Sequence, residues 1–107
     1  MMLAMSNQES LPPLPGMERV ILELLVSSGK ELFGLELIEA SGNRLKRGSI
    51  YVTLQRMSKK GLVESREEAR PAPEIGIPRR LYKASGFGVR VLRAYEMAQS
   101  TFAEVGI

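Results

Sequence analysis

The sequence predicts a mainly α-helical domain with one small β-hairpin, an α+β arrangement in which helices dominate. Apolar residues recur at helical spacing in four segments of the 107-residue chain, and glycines stand where several of these segments end. Residues 62–68 and 79–84 are strand-like, and the segment between them contains three prolines and a glycine that prevent regular pairing. The predicted order is helix, helix, helix, hairpin, helix.

The first two helices are predicted from their apolar stripes and their stop signals. Residues 1–15 are polar and punctuated by prolines, so we expect a flexible N-terminal tail. An apolar stripe begins at Met17 and Gly29 ends that helix. The second helix covers residues 34–41 and is closed by Gly42 and Asn43.

The third helix begins near Arg47, ends before Gly61 and combines an apolar face with a cationic one. Ile50, Leu54 and Met57 fall at positions i, i+4 and i+7, which places them on one side of the helix. The other side carries short polar and basic side chains, and the segment contains no acidic residue. Such a surface suits insertion into a DNA major groove.

The last helix is predicted to begin after Ser85, a favourable N-cap residue, and to continue to about residue 104. Its apolar residues are spaced by four, three, four and three positions, as in a helix-pairing seam. The alternative is a stripe that folds back on its own core. We expect a symmetric homodimer that also buries an apolar strip of the first helix. The predicted dimerisation residues are Met17, Val20, Leu24, Val91, Tyr95, Ala98, Phe102 and Val105.

The composition argues against catalysis. The chain contains no cysteine, no histidine and no aspartate, which removes the commonest general base, the usual zinc ligands and every Ser-His-Asp arrangement. We therefore expect a protein that is not an enzyme and that binds neither a metal nor a cofactor. No apolar run approaches the ~20 residues of a membrane span. We expect no membrane partner and a cytoplasmic, nucleoid-associated location.

Positive charge is concentrated in the middle of the chain. The formal net charge is only +3, yet residues 44–93 contain thirteen cations against four glutamates, a local net charge of +9. The flanking residues 1–43 and 94–107 are both net acidic. This concentration predicts a surface that binds a polyanion, and double-stranded DNA is the partner that fits the third helix. A basic face exposed only to solvent is the alternative.

The predicted order of elements is that of a winged helix-turn-helix fold, in which the hairpin is the wing. The sequence resembles the PadR family of bacterial transcriptional regulators over roughly residues 17–93. The motifs that carry the resemblance are Phe33-Gly34, Leu37-Ile38, Gly48-Ser-Ile-Tyr51, Leu54, Arg56-Met57, Gly61-Leu-Val63, Arg80, Tyr82, Ser85 and Gly88. The resemblance implies a homodimeric, repressor-type regulator whose wing and third helix bind operator DNA. From the order of elements we expect a DNA-binding domain over residues 16–85 and a C-terminal dimerisation helix over residues 86–107.

The candidate DNA-binding residues lie on the third helix and on the wing. They are Arg47, Ser49, Tyr51, Thr53, Gln55, Arg56, Lys60, Arg70, Arg79 and Arg80. We expect Tyr51 and Lys60 to bind phosphates.

Sequence reading is assigned to three side chains of the third helix. Thr53 could meet a base edge or a thymine methyl, Gln55 could pair with adenine, and Arg56 could bind guanine.

Each of these assignments has an alternative. Ser49 could cap the helix, which is the role we favour for it, and Tyr51 could be a packing residue. Gln55 could lie on a solvated flank, and Arg56 could pair with a glutamate of the first two helices. The wing arginines could pair with the neighbouring glutamates of the hairpin.

The function expected from the sequence is a sequence-specific regulator of transcription, of repressor type, that binds a pseudo-palindromic operator as a homodimer. An architectural DNA-binding module without an effector and a winged-helix module that binds another protein are the alternatives. The family resemblance permits a small-molecule effector at the dimer interface, although the sequence identifies no pocket for one.

Overall fold

The computed structural model describes residues 11–69 and 79–105, with side chains up to residue 100. In chain order the elements are α1 (Gly16–Ser28), β1 (Leu32–Phe33), α2 (Gly34–Ala40), α3 (Arg47–Lys59), β2 (Val63–Glu67), β3 (Arg80–Ala84) and α4 (Gly86–Val105). The predicted order of three helices, a hairpin and a final helix is confirmed. The tip of the wing, with Arg70, lies outside the described residues.

The wing belongs to a three-stranded antiparallel sheet with strand order β1-β3-β2. The two-residue strand β1 was not predicted, because it is too short to show any alternation of its own. It forms because Leu32 pairs with Tyr82 of β3, and both side chains are buried. This pairing fixes the root of the wing beside the N-terminus of α2.

The core lies where α1, α2 and α3 meet, and it is closed by the start of β2 and the first turns of α4. Leucine dominates it, with Met57 buried near the C-terminal end of α3. The largest fully buried side chains are Glu18, Ile21, Leu22, Leu37, Leu45, Ile50, Leu54, Met57 and Leu62. Glu18 is the only charged residue among them, which makes it the exception that needs an explanation.

The end of α3 directs the chain into the wing. Gly61 adopts φ of +79°, a left-handed conformation that glycine tolerates best. The amide of Gly61 donates to the Ser58 carbonyl, and the amide of Leu62 donates to the Met57 carbonyl. These two bonds form a Schellman motif, so the predicted glycine stop is confirmed and β2 begins two residues later.

A second junction joins the wing to α4. The Ser85 hydroxyl accepts a hydrogen bond from the Gly88 amide at 2.9 Å and donates one to the Gly61 carbonyl at 2.6 Å. Ser85 is therefore the N-cap, as predicted. A Cβ at Gly88 would lie 2.1 Å from the Leu62 carbonyl oxygen, so only glycine lets α4 cross the base of the wing.

Among the helices in the described part of the chain, none is both long enough and apolar enough to cross a lipid bilayer.

Candidate nucleic-acid interface

The helix α3 is held on the domain by one apolar face. Ile50, Leu54 and Met57 are buried against α1 and α2, as the sequence predicted. The helix begins at Arg47, with Lys46 as the N-cap residue and no side-chain cap. The capping role favoured for Ser49 is therefore wrong, because Ser49 is the third residue of the helix, where its hydroxyl is exposed.

The face opposite the buried residues points into solvent. A helix turns by about 100° per residue, so the residues farthest from Ile50, Leu54 and Met57 are Gly48, Val52, Gln55 and Lys59. All four are exposed, and Val52 retains 57% of its accessible surface. We call these four residues, together with Arg56 beside them, the outer face of α3.

Thr53 is not part of the outer face. Its side chain is half-buried, and its hydroxyl donates to the Ser49 carbonyl at 2.9 Å, one turn earlier in the same helix. The hydroxyl proton is thus already donated within the helix. Gln55, in contrast, is exposed, and its amide has no partner within the described residues.

Cations surround the N-terminus and the outer face of α3. Arg44, Lys46, Arg47 and Lys59 are exposed, and none of them forms an ion pair with a residue in the described ranges. The sequence contains no acid between Glu39 and Glu64. The surface is therefore positive and open to a polyanion.

Lys60 is engaged elsewhere. Its ammonium lies 2.7 Å from Oε1 of Glu18, which is only 1% exposed, and it also donates to the Pro13 carbonyl at 3.3 Å. Arg56 reaches the other carboxylate oxygen of Glu18 at 3.9 Å, a long ion pair that leaves its guanidinium more than half exposed. The alternative that Arg56 pairs with a glutamate of the first helix thus has structural support.

The Glu18–Lys60 pair explains the charge in the core. Glu18 lies in the first turn of α1, where a carboxylate is favoured by the helix dipole, but its Oε2 atom has no hydrogen-bond partner within the described structure. The Lys60 cation therefore neutralises a buried acid behind α3 and links α1 to the end of that helix. The phosphate role predicted for Lys60 competes with this pairing.

Tyr51 lies at the edge between α3 and α2. Its exposed ring lies directly against Gly34, where an added Cβ would be 2.7 Å from the Tyr51 Cε1 atom. The glycine that begins α2 thus leaves room for the ring, so the packing role and the phosphate role of Tyr51 are compatible. Its hydroxyl remains beside the wing root, in a groove of about 430 Å³ lined also by Arg79 and Arg80.

The wing arginines have partners close to the sheet. Arg80 donates to the Ser65 hydroxyl at 3.3 Å and lies 3.7 Å from Glu67, beside Tyr51 in the cleft between α3 and the wing. Arg79 stacks on the Phe33 ring at 4.0 Å from its centroid and pairs with Glu68 at 3.2 Å. Both side chains stay about half exposed.

Two further ion pairs reduce the positive charge of the hairpin. Arg66 donates two hydrogen bonds to Glu31, at 2.7 and 2.9 Å, and these bonds lower the pKa of the Glu31 carboxyl. Lys83 lies 3.6 Å from Glu64 on the neighbouring strand. The excess positive charge is therefore located on and around α3, more than on the described part of the wing.

The predicted dimerisation residues fall into two groups. Val20 and Val91 are 8% and 3% exposed because they pack in the protomer's own core, which leaves them almost no surface for a partner. Tyr95 is half-buried, and its hydroxyl donates to the Pro12 carbonyl at 2.7 Å. These three residues therefore follow the alternative prediction, in which the apolar stripe packs on the core of its own protomer.

The second group is accessible. Met17 and Ala98 are exposed, and Leu24 is half-buried. Met97, which the seam pattern did not include, is 71% exposed. The side chains of Phe102 and Val105 lie outside the described residues.

Val52 was not among the predicted site residues, because the predicted contacts of α3 were all polar or basic side chains. A helical projection of the segment could have found it, since Val52 lies opposite the three predicted core residues. The exposed cations Arg44 and Lys46 precede the helix, and the sequence prediction included them only in the regional net charge.

The fold agrees with the comparisons with known proteins. The family model described as the transcriptional regulator PadR-like family matches residues 21–94. A comparison with curated protein sequences found no match.

Solved structures show the same fold. A PadR family transcription regulator from Clostridium difficile R20291 has 24% identity and a TM-score of 0.65, over 81% of this chain and 90% of that one. A PadR-like regulator from Bacillus cereus has 25% identity and a TM-score of 0.60, over 83% and 85%. A PadR family regulator from Eggerthella lenta has 19% identity and a TM-score of 0.65, over 98% and 89%. Because the family model covers more than half of the sequence, the chain belongs to the PadR-like family of DNA-binding transcriptional regulators.

Proposed function

We propose that this regulator is a sequence-specific repressor that binds a pseudo-palindromic operator as a homodimer. The observation that carries the proposal is the outer face of α3, which is exposed, free of acids and bordered by cations without partners in the described residues. A helix of this kind fits the major groove, and the cations beside it fit the phosphates at the groove edges.

The proposed contacts divide into phosphate binding and base reading. Arg47 and Lys59 lie at opposite ends of α3, so they can bind phosphates on both sides of the groove. The hydroxyls of Tyr51 and Ser49 can donate hydrogen bonds to the DNA backbone. Gln55 and Arg56 are the polar side chains left to read base edges. On the wing, Arg80 lines the cleft between α3 and the sheet.

The homodimer is supported by accessible apolar surface on the two helices that would meet. Met17 on α1 and Met97 on α4 are both exposed, and residues 96–100 of α4 are exposed throughout. A two-fold dimer would place two copies of α3 about 34 Å apart, one turn of DNA. This spacing predicts an operator with two inverted half-sites. Occupancy of both grooves would exclude other proteins from that DNA, which is a direct route to repression.

The operator proposal is tested by selection of bound duplexes from a random pool with the full-length protein. We expect an enriched inverted repeat whose half-sites are about 10 base pairs apart, centre to centre. Lys59→Gln should weaken binding to all sequences, whereas Lys30→Gln, an exposed cation on the turn after α1, should leave it unchanged. A pool without any enriched sequence would refute sequence-specific binding.

The dimer and the repressor role need separate measurements. Light scattering on the eluting protein should give the mass of a dimer, and Met97→Glu should shift it toward the monomer. A monomeric wild type would contradict the two-fold operator model. Transcription in vitro from a promoter that overlaps the enriched repeat should fall as the protein is added, and a rise would show activation instead.

A further inference from the structure

The outer face of α3 carries an apolar side chain at its centre. The phosphate and base contacts proposed above, which are all polar, give this side chain no role. Val52 is 57% exposed, more than any other large apolar side chain of α3 within the described residues. It lies between Gly48 one turn before and Arg56 one turn after, with Gln55 beside it. An isopropyl group therefore stands at the point where α3 would meet the floor of a DNA groove.

The intrinsic preferences of valine do not explain this position. A β-branched residue is a poorer helix former than alanine, because its side chain loses rotamer freedom against the preceding turn. Burial often offsets that loss, but Val52 is exposed and contributes little to the protomer's core. The position is thus suboptimal for the isolated domain.

The surroundings of Val52 allow a close approach by a base edge. Gly48 has no side chain, and a Cβ built there would meet nothing within 4 Å. The neighbouring cations Arg47 and Lys59 are exposed and can hold phosphates on either side of the groove. The half-buried Thr53, whose hydroxyl bonds within the helix, does not compete for the same space.

We infer that Val52 is a specificity-determining residue that packs against the C5-methyl group of a thymine in each operator half-site. This inference rests on the proposed function and deepens it. Thymine is the only one of the four bases that presents a methyl group in the major groove, so an apolar contact there discriminates against the other three. Gln55 and Arg56, on the same face, can read the neighbouring base pairs.

The size of the effect follows from one methyl group. Removal of a methyl that is buried on binding should weaken the complex about four-fold per half-site. Two symmetric half-sites should together give about a fifteen-fold loss. Because Val52 lies outside the core, Val52→Ala should leave the thermal midpoint unchanged or slightly higher.

The test uses the full-length protein and the most enriched duplex from the random pool. Each thymine is replaced in turn by deoxyuridine, which removes the methyl and preserves base pairing. For the wild type, one position per half-site should show the four-fold loss. For Val52→Ala, binding to the unmodified duplex should already be weaker, and deoxyuridine at that position should have no further effect. Val26→Ala, at an exposed valine of α1, is the matched control and should behave as wild type.

Several results would overturn the inference. An enriched half-site without thymine would do so, as would equal losses from deoxyuridine in the wild type and in Val52→Ala. In both cases duplex binding would remain and the proposed function would stand. If no duplex is bound at all, both the inference and the proposed function fail.

Discussion

The pair formed by Glu18 and Lys60 predicts a large and specific loss of stability when its cation is removed. Lys60→Met keeps most of the side-chain volume but leaves the Glu18 carboxylate, 1% exposed, without its partner at 2.7 Å. Removal of one partner from a fully buried ion pair costs about 3–5 kcal/mol. Lys60 is a quarter exposed and Arg56 lies 3.9 Å from the same carboxylate, so we expect less, about 2–3 kcal/mol.

The assay is urea unfolding followed by circular dichroism, at one fixed protein concentration because association would couple to folding. A loss of 2–3 kcal/mol corresponds to a midpoint about 10–20 °C lower in a thermal scan of a domain of this size. Lys59→Met removes the neighbouring, exposed cation and should change stability by less than about 0.5 kcal/mol.

A double-mutant cycle isolates the pair itself. Glu18→Leu combined with Lys60→Met removes both charges, so the double variant should be more stable than Lys60→Met alone. If Lys60→Met and Lys59→Met lose the same stability, or if the coupling energy is near zero, the account of Glu18 as a buried acid neutralised by Lys60 is refuted.

Three further predictions concern single contacts. Gly34→Ala should displace the Tyr51 ring, because its Cε1 atom would lie 2.7 Å from the new Cβ. Duplex binding in an anisotropy titration should then weaken several-fold. Gly16→Ala, also at the start of a helix but in open space, should leave duplex binding unchanged. Gly88→Ala should destabilise the fold by about 3 kcal/mol in urea, since backbone cannot move aside as a side chain can. Glu31→Gln should reduce the loss of folding free energy that the protein shows at acid pH. The pKa of Glu31 is lowered from 4.5, so its contribution to stability is present above that pH and is lost as the pH falls through the lowered value. Urea midpoints at a series of pH values can measure this change. Unchanged duplex binding by Gly34→Ala, unchanged stability of Gly88→Ala, or an unchanged pH dependence of stability in Glu31→Gln would contradict the corresponding expectation.

Helix ends were predictable because they depend on local chemistry. Gly29 and Gly61 adopt the left-handed backbone that ends a helix, and Ser85 caps α4 with its hydroxyl. These signals act within a few residues, so a single sequence contains them. The apolar face of α3 was predictable for the same reason.

Other features depend on contacts between distant segments. The strand β1 exists only because Leu32 meets Tyr82, fifty residues away in the chain. The ion pair that holds Lys60 behind α3 depends on Glu18, which is forty-two residues away in the chain. A signal for Glu18 was nevertheless present, since it lies on the same helical stripe as Ile21 and Leu25 and is thus an acid on an apolar face.

The measurement that tests the central claim most directly is the salt dependence of duplex binding. A labelled duplex that contains the enriched repeat is titrated with the full-length protein at several salt concentrations. If the exposed cations around α3 bind phosphates, log affinity should fall linearly with log salt, by about 0.9 for each phosphate neutralised. Lys59→Gln should reduce that slope by about 2 in a dimer, one for each protomer. A slope near zero, or no measurable affinity even at low salt, would contradict the account.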